Sequence, residues 1–338
     1  MQQSSSGLPT FPGGRQIIRE SFLRKGVPEI AVETTMASIA ESTFKQYNST
    51  YRLWWAFCLA EKTPVFQPSI KEVVTLLQTT SEKHNTKYGT INCHRSALSL
   101  ILNQDLGSDP IIKRFMKGMS RLRPSQPRYS NTWDPQLLLS YFEGLPKELS
   151  LRMLSQKLIT LLALITGGRL QTLSLIRLSN ISESQEEIQI NITDPIKTSG
   201  LNKEQPTLHI PFYSEKPSLC VASTLKKYLA TTKPLRAPNQ DFLFVTTKRP
   251  HSTASKQTLS KWVKHALGSA GIDTSRFKPH STRHSSSSAA LRQGVSLESI
   301  CRTVGWSEQT GTFAKFYNRP LGDKTAFANA ILRLSKRP

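Results

Sequence analysis

Cysteine is scarce in this chain: Cys58, Cys93, Cys220 and Cys301 are scattered over 338 positions with no Cys-x-x-Cys pair. That spacing argues against a disulfide scaffold or a thiolate zinc site and fits a reducing compartment. Long apolar runs are missing as well. LITLLALIT is the longest and falls far short of a bilayer's width, and no signal peptide opens the sequence, so a soluble, intracellular protein is expected. Carboxylates are few, with 23 Asp plus Glu against 45 Lys plus Arg and a net charge of +22. A field of that sign attracts polyanions and binds phosphates through counterion release, which makes nucleic acid the leading partner. A membrane-surface protein would instead gather its charge on one amphipathic helix. The shortage of acids in the second half also argues against a metal centre built from converging carboxylates, and nothing resembles a phosphate-gripping P-loop. No metal and no cofactor are expected.

What is present is helical periodicity, with apolar content of 37%, enough to bury an ordinary core in each of two domains. Residues 1–14, rich in Ser, Gly, Pro and Gln, read as a disordered lead. Helical patterns then fill 15–120. In AESTFKQYNSTYRLWWAFCLAEK, Phe44, Tyr47, Tyr51, Trp54, Trp55 and Cys58 recur at three- and four-residue steps, a stripe better suited to a core than to base stacking. TKYGTINCHRSALSLILNQ turns Ile91, Ala97, Leu98 and Ile101 inward. It leaves Lys87, Asn92 and Arg95 outward, as groove-contacting groups or simply as a solvated face. Prolines 124, 127 and 135 bracket a basic stretch that cannot continue a helix, which marks 121–132 as a linker.

The second domain, 133–320, opens with a helix capped at Asp134 and Pro135. LSLRMLSQKLITLLALITGG follows, apolar nearly all round and therefore a central buried helix. Arg169 comes immediately after its diglycine, held where a planar guanidinium can grip a phosphate. EEIQINI and TLHIPF read as two strands of a hairpin with a long loop, and Lys256, Lys261 and Lys264 line a later helix as further phosphate contacts or plain surface charge. The densest chemistry lies in HSTRHSSSSAALRQGVSLESICRTVGWSEQTGTFAKFYN. There His280 and Arg283 share the first turn of a helix that begins after Pro279 and stops at Gly294. A second helix follows with apolar spacing at Val295, Leu297, Ile300 and Val304. Gly305-Trp306 forms a turn, and a third amphipathic segment sets Phe313, Phe316 and Tyr317 on one side. Taken singly, each of these is an ordinary packing or surface residue.

In that order they resemble the catalytic domain of the tyrosine recombinase (phage integrase) superfamily: His-x-x-Arg, then Gly-Trp, then a tyrosine about ten residues on. TGGRLQTLSLIRLSNI is similar to the family's Thr-Gly-x-Arg segment, although Thr172 stands where many members carry an acid. The wording around Gly305-Trp306 looks similar to the Cre-type phage recombinase. FAKFYNRP looks more like the recombinases of eukaryotic DIRS-like, Ngaro and crypton mobile elements.

The resemblance implies a mainly α fold with a small antiparallel β-sheet in the C-terminal domain, arranged as a two-domain, C-shaped DNA clamp. It implies catalytic roles for Arg169, Lys197, His280, Arg283, Trp306 and Tyr317, with Lys197 in IKTSG matching the family's hairpin lysine and Lys203 second to it. Tyr317 would form a 3′-phosphotyrosine with no ATP or metal, Lys197 would be the general acid, and His280 would either assist Tyr317 or donate to phosphate. The partners implied are double-stranded DNA and further copies of the chain in a tetramer, with a nuclear location in a eukaryotic host. Residues 321–338 read as a tail helix with Phe327, Ala330, Ile331 and Leu334 on one side, docking in a neighbour or lying as a lid on its own domain. A type IB topoisomerase-like nicking-closing enzyme and a non-catalytic DNA-binding descendant are the competing readings.

Overall fold

The computed structural model describes residues 10–126, 128–200, 204–306, 317–321 and 331–332. Two compact units divide the chain, Met1–Pro127 and Arg128–Pro338.

The first unit is helical: α1 (Gly14–Arg24), α2 (Glu29–Met36), α3 (Glu41–Glu61), α4 (Ile70–Lys83), α5 (Tyr88–Ile101) and α6 (Pro110–Leu122). On α3 the stripe of Phe44, Tyr51, Trp54 and Cys58 is buried, while Tyr47 and Trp55 are half-buried at its edge. The polar tips of the buried rings are satisfied: Tyr51 donates to the Ala97 carbonyl at 3.0 Å and the Trp54 indole to the Val65 carbonyl at 2.9 Å. The stripe is therefore packing. Local chemistry sets the helix starts. Ser69 and Glu72 form a capping box on α4, and the Asp109 carboxylate accepts the Ile111 and Ile112 N–H groups of α6 at 2.9 and 2.8 Å, with Pro110 in the first turn.

The second unit begins with α7 (Pro135–Glu143), whose Asp134 cap accepts from the Gln136 N–H at 3.0 Å. Next is α8 (Leu151–Thr166), buried on all sides from Leu154 to Leu164 and packed against the helices that follow it: α9 (Leu170–Leu173), α10 (Val221–Thr232), α11 (Lys256–Ser269) and α12 (Ser281–Arg292). α13 (Leu297–Val304) is the last helix with bounds among the described residues.

Between α9 and α10 lies an antiparallel sheet in the order β1 (Ile181–Glu183), β2 (Glu187–Asn191), β3 (Thr207–Pro211). Ile188 pairs with Ile210 and Ile190 with Leu208, so the apolar alternation of both strands falls on one face and joins the core. The two strands legible in the sequence are β2 and β3. β1 has no buried residue and so carries no alternation to read. The observed class is mainly α with a small antiparallel sheet.

One expectation needs correcting. Val295 and Leu297 are 42% and 48% exposed, because Ser296 caps α13 and turns its apolar face to begin at Ile300, continuing through Cys301 and Val304. The expected helix before Tyr317 and most of the expected tail lie outside the described residues. Of the tail's apolar face, Ile331 is described and is exposed.

Leu158 sits at the centre of α8 with no exposed surface, whereas Ile165 on the same helix is 41% exposed. Leu158→Ala should cost about 2–5 kcal/mol and Ile165→Ala less than about 1 kcal/mol, read from urea-unfolding midpoints.

Candidate active site

Four chain segments converge around α12. Its first turn carries His280 at the cap position and Arg283, which is only 1% exposed. The run of serines that follows is a buried bonding strip. Ser281 accepts the Trp133 indole N–H at 2.8 Å, and Ser285 donates to the Trp133 carbonyl at 2.8 Å. Ser288 donates to the Tyr317 carbonyl at 2.8 Å and accepts the Arg319 N–H at 2.9 Å. The Thr132 N–H reaches the Pro320 carbonyl at 2.9 Å. The chain is thus tied at Tyr317 and at the residues just after it.

The Tyr317 ring packs against two others. The Trp306 ring is tilted against it with centroids 4.1 Å apart, and His284 is stacked on it at 4.5 Å with 23° between planes. Tyr129 meets the edge of His284 at 5.4 Å. The Tyr317 hydroxyl is 3.3 Å from His280 Nε2. Trp306 is delivered by the end of α13, where Gly305 adopts φ +65°, its N–H bonding the Arg302 carbonyl and the Trp306 N–H bonding the Cys301 carbonyl. Those two bonds form a Schellman closure, which requires the left-handed residue that glycine supplies.

Arg283 points between the ends of two helices. Its guanidinium donates to the Gly167 carbonyl beyond α8 and to the Val304 carbonyl ending α13, the latter at 3.1 Å. It lies 5.1 Å from the Trp306 ring and 5.8 Å from the Tyr317 ring, while its Nε has no hydrogen-bond partner among the described residues. Gly167 has φ +55°, and a Cβ there would come within 2.4 Å of Val304 Cγ1, so the diglycine is a steric requirement of this junction. Burial, then the charge of Arg169, lowers the Arg283 pKa to about 10, opposed by Tyr317, and the group stays protonated at neutral pH.

Arg169, half-buried, caps α9 just past the diglycine, and Lys197 is exposed on the loop between β2 and β3. Both act electrostatically on His280. Desolvation by surrounding atoms, then Arg283, Arg169 and Lys197, push its pKa down from 6.5 to about 4, although the residue is exposed to water, which screens these charges. Among the described residues, the charged groups that perturb His280 are the cations Arg283, Arg169 and Lys197. Such a pocket suits an anion, and a phosphate would meet fixed planar donors rather than bulk water.

Lys256 and Lys261 are exposed on α11. In the first unit Lys87 is exposed at the start of α5. Asn92 and Arg95 are half-buried, joined at 3.1 Å, and line a shallow cavity of about 300 Å³ with Lys113 and Lys117 of α6. Lys203 lies outside the described residues. His280 and His284, four apart in sequence, meet edge to face at 5.6 Å, and among the described residues no group of three His, Cys, Asp or Glu is placed to hold a metal. No helix among them is long and apolar enough to cross a membrane.

Sequence reasoning passed over His284 as a support for Tyr317, and over Ser288, Thr132 and Tyr129. A serine run offers no sign of which hydroxyls face inward, and Tyr129 and Thr132 sit in a stretch without periodicity.

Residues 141–321, more than half the chain, match the model of the phage integrase family, and the chain belongs to that family. Its fold is that of the tyrosine recombinases. It is similar to the XerH site-specific recombinase bound to palindromic difH substrate, with TM-score 0.60 at 16% identity, covering 98% of this chain and 91% of that one. The Tn1549 transposon integrase in complex with circular intermediate DNA gives TM-score 0.60 at 13% identity, with 95% and 99% covered. The lambda integrase dimer bound to a COC′ core site gives 0.55 at 17% identity, with 90% and 96% covered. No curated protein matches the chain in sequence.

Because the folded-state pKa of His280 lies below its ordinary value, the unfolded chain protonates first as pH falls. The fold should lose stability from pH 6.5 down to about 4, and this group adds no pH dependence above 6.5. Histidine-ring NMR should find His280 still neutral between those values, and Arg169→Gln should raise its midpoint. A midpoint at 6.5 in the parent would show that the cations do not gather in solution.

Proposed function

We propose that this protein is a site-specific DNA recombinase that cuts and rejoins strands through a 3′-phosphotyrosine at Tyr317. The observation that carries the reading is the Tyr317 hydroxyl 3.3 Å from a neutral His280, beside buried Arg283 and in the combined field of Arg169 and Lys197. The phenolic oxygen attacks phosphorus in line. As the new O–P bond forms, the bond to the 5′-oxygen breaks, and a free 5′-hydroxyl leaves. His280 accepts the phenolic proton, and Lys197 supplies a proton to the departing oxygen. Arg169 and Arg283 hold the non-bridging oxygens as their negative charge grows. Trp306 packs against the nucleophile's ring. Religation to another 5′-hydroxyl reverses these steps, and the scheme has no step for ATP or a metal.

DNA as the partner is supported by the net charge of +22 and by the DNA-bound relatives XerH, the transposon integrase and the lambda integrase dimer. In this reading the helical unit, with Lys87, Asn92 and Arg95, and the surface of α11, with Lys256 and Lys261, contact the duplex. Copies of the chain assemble on paired sites as a tetramer. Integration or excision of a mobile element, in the nucleus of a eukaryotic host, is the setting proposed.

Tyr317→Phe should abolish the covalent protein–DNA adduct on denaturing gels while leaving the DNA dissociation constant close to the parent's. An adduct that persists would overturn the assignment of the nucleophile. Strand exchange between two labelled duplexes separates a recombinase from a nicking-closing enzyme, which would relax supercoils without it.

The two arginines should differ in a second property. Arg169→Ala should slow adduct formation by at least about 10²-fold with little change in thermal midpoint, and Arg169→Lys should recover little. Arg283→Ala should lose both cleavage and stability, because two helix-end carbonyls lose their donor. Full activity in Arg169→Lys would show that charge alone suffices.

A further inference from the structure

Lys197 sits on a long loop that would be expected to wander, yet the strand-side approach to it is tied at successive residues. The Thr193 hydroxyl accepts from Asn180 at 2.8 Å. The Ile196 N–H donates to Ser199 Oγ at 2.8 Å, and Ser199 donates to Gln205 Oε1 at 3.0 Å on the returning arm. Gln205 closes back onto the Asp194 carbonyl at 3.4 Å. Between Thr193 and Ile196 comes the strongest tie. Arg177 Nε and Nη2 grip the two Asp194 carboxylate oxygens at 2.7 and 2.9 Å, a bidentate fork.

Arg177 is itself held. Its guanidinium lies 4.5 Å from the centre of the Phe242 ring and 3.7 Å from Asp241, whose carboxylate is fixed by the Ser179 N–H and hydroxyl at 3.0 and 2.8 Å. The pairing holds the Asp194 carboxyl below its usual range. Arg177 also lies on the short segment that starts from Arg169 at the cap of α9, so one stretch of chain carries an arginine of the cluster and the anchor of the lysine loop.

We infer that Arg177 is a positioning residue that, through the Asp194 fork, holds the β2–β3 loop so that Lys197 reaches the scissile phosphodiester. The inference rests on the reading of Lys197 as the acid for the 5′-oxygen. Arg177 touches no reacting atom. Its contribution is to convert a mobile donor into one already in place, and loss of about an ångström in such placement costs on the order of 10²-fold in rate.

The test compares single-turnover cleavage of an ordinary phosphodiester with cleavage of a 5′-bridging phosphorothiolate, using the full-length protein. Sulfur leaves as a stable thiolate and needs no proton, so a defect in acid delivery disappears with it. Lys197→Ala calibrates the assay: it should lose about 10²–10⁴-fold on oxygen and recover on sulfur. Arg177→Ala and Asp194→Asn should each lose about 10²-fold on oxygen and return to near the parent rate on sulfur, with DNA affinity unchanged. Arg177→Lys, which keeps charge but not the fork, should stay slow on oxygen, and the exchange Arg177→Asp with Asp194→Arg should recover part of the loss. Should Arg177→Ala fail to fold, Asp194→Asn on the loop carries the test. If Lys197→Ala recovers on sulfur but the Arg177 and Asp194 variants stay slow there, or were never slow on oxygen, the inference is overturned and the acid assignment stands. If Lys197→Ala itself does not recover, the acid assignment falls and takes this inference with it.

Discussion

A guanidinium with almost no exposure and, among the described residues, no carboxylate bonded to it is the constraint on which the rest of this site depends. Arg283 is stabilised by the carbonyl ends of α8 and α13, where helix dipoles leave partial negative charge, and by the faces of Trp306 and Tyr317. Partial charges offset its desolvation without cancelling it. A full counter-ion would have filled the pocket; carbonyls leave the positive field available to an incoming anion. The geometry follows from this. Gly167 must be glycine for α8 to end where its carbonyl meets Arg283, and Gly305 must turn left-handed for α13 to end where Val304 meets it and Trp306 can swing onto the tyrosine.

The neighbouring cations also set the chemistry of His280. A histidine kept neutral by desolvation and by those cations is by itself a poor base. A phosphodiester would bring the negative charge that offsets those cations, so its arrival would raise the basicity of the imidazole next to the Tyr317 hydroxyl. In the proposed mechanism, substrate binding and activation of Tyr317 would then be coupled through electrostatics.

Much of this was legible in the chain. The α3 stripe, the buried α8, the alternation in β2 and β3 and the helix start at Asp134 all follow from short-range rules of period and hydrogen bonding, and those rules act within one element. His280, Arg283, Trp306 and Tyr317 lie within one stretch of sequence, and their grouping into a single site with Arg169 rested on the resemblance to the tyrosine recombinases. What was hidden depends on contacts between distant segments. Ser288 holding the Tyr317 carbonyl, Thr132 pairing with Pro320, His284 lying on the tyrosine ring and Arg177 clasping Asp194 have no period and no local signature. Val295 and Leu297 misled for the opposite reason: their spacing was right, but the helix began at Leu297, two residues after Val295, and turned them to solvent.

The double duty of Arg283 bears on how such a chain can decay. Mutations accumulate most freely where a side chain serves chemistry alone. Lys197, whose catalytic role is proposed, is exposed and has no hydrogen bond or ion pair among the described residues, and Tyr317 could lose its hydroxyl while its ring stays against Trp306 and His284. Arg283 has no such freedom, since its loss would unpin the ends of two helices. A descendant kept only for holding DNA would therefore shed the lysine and the phenol first and carry the arginine on as a fossil of cutting, so that the most informative residues for dating the loss of activity are the ones the fold can spare.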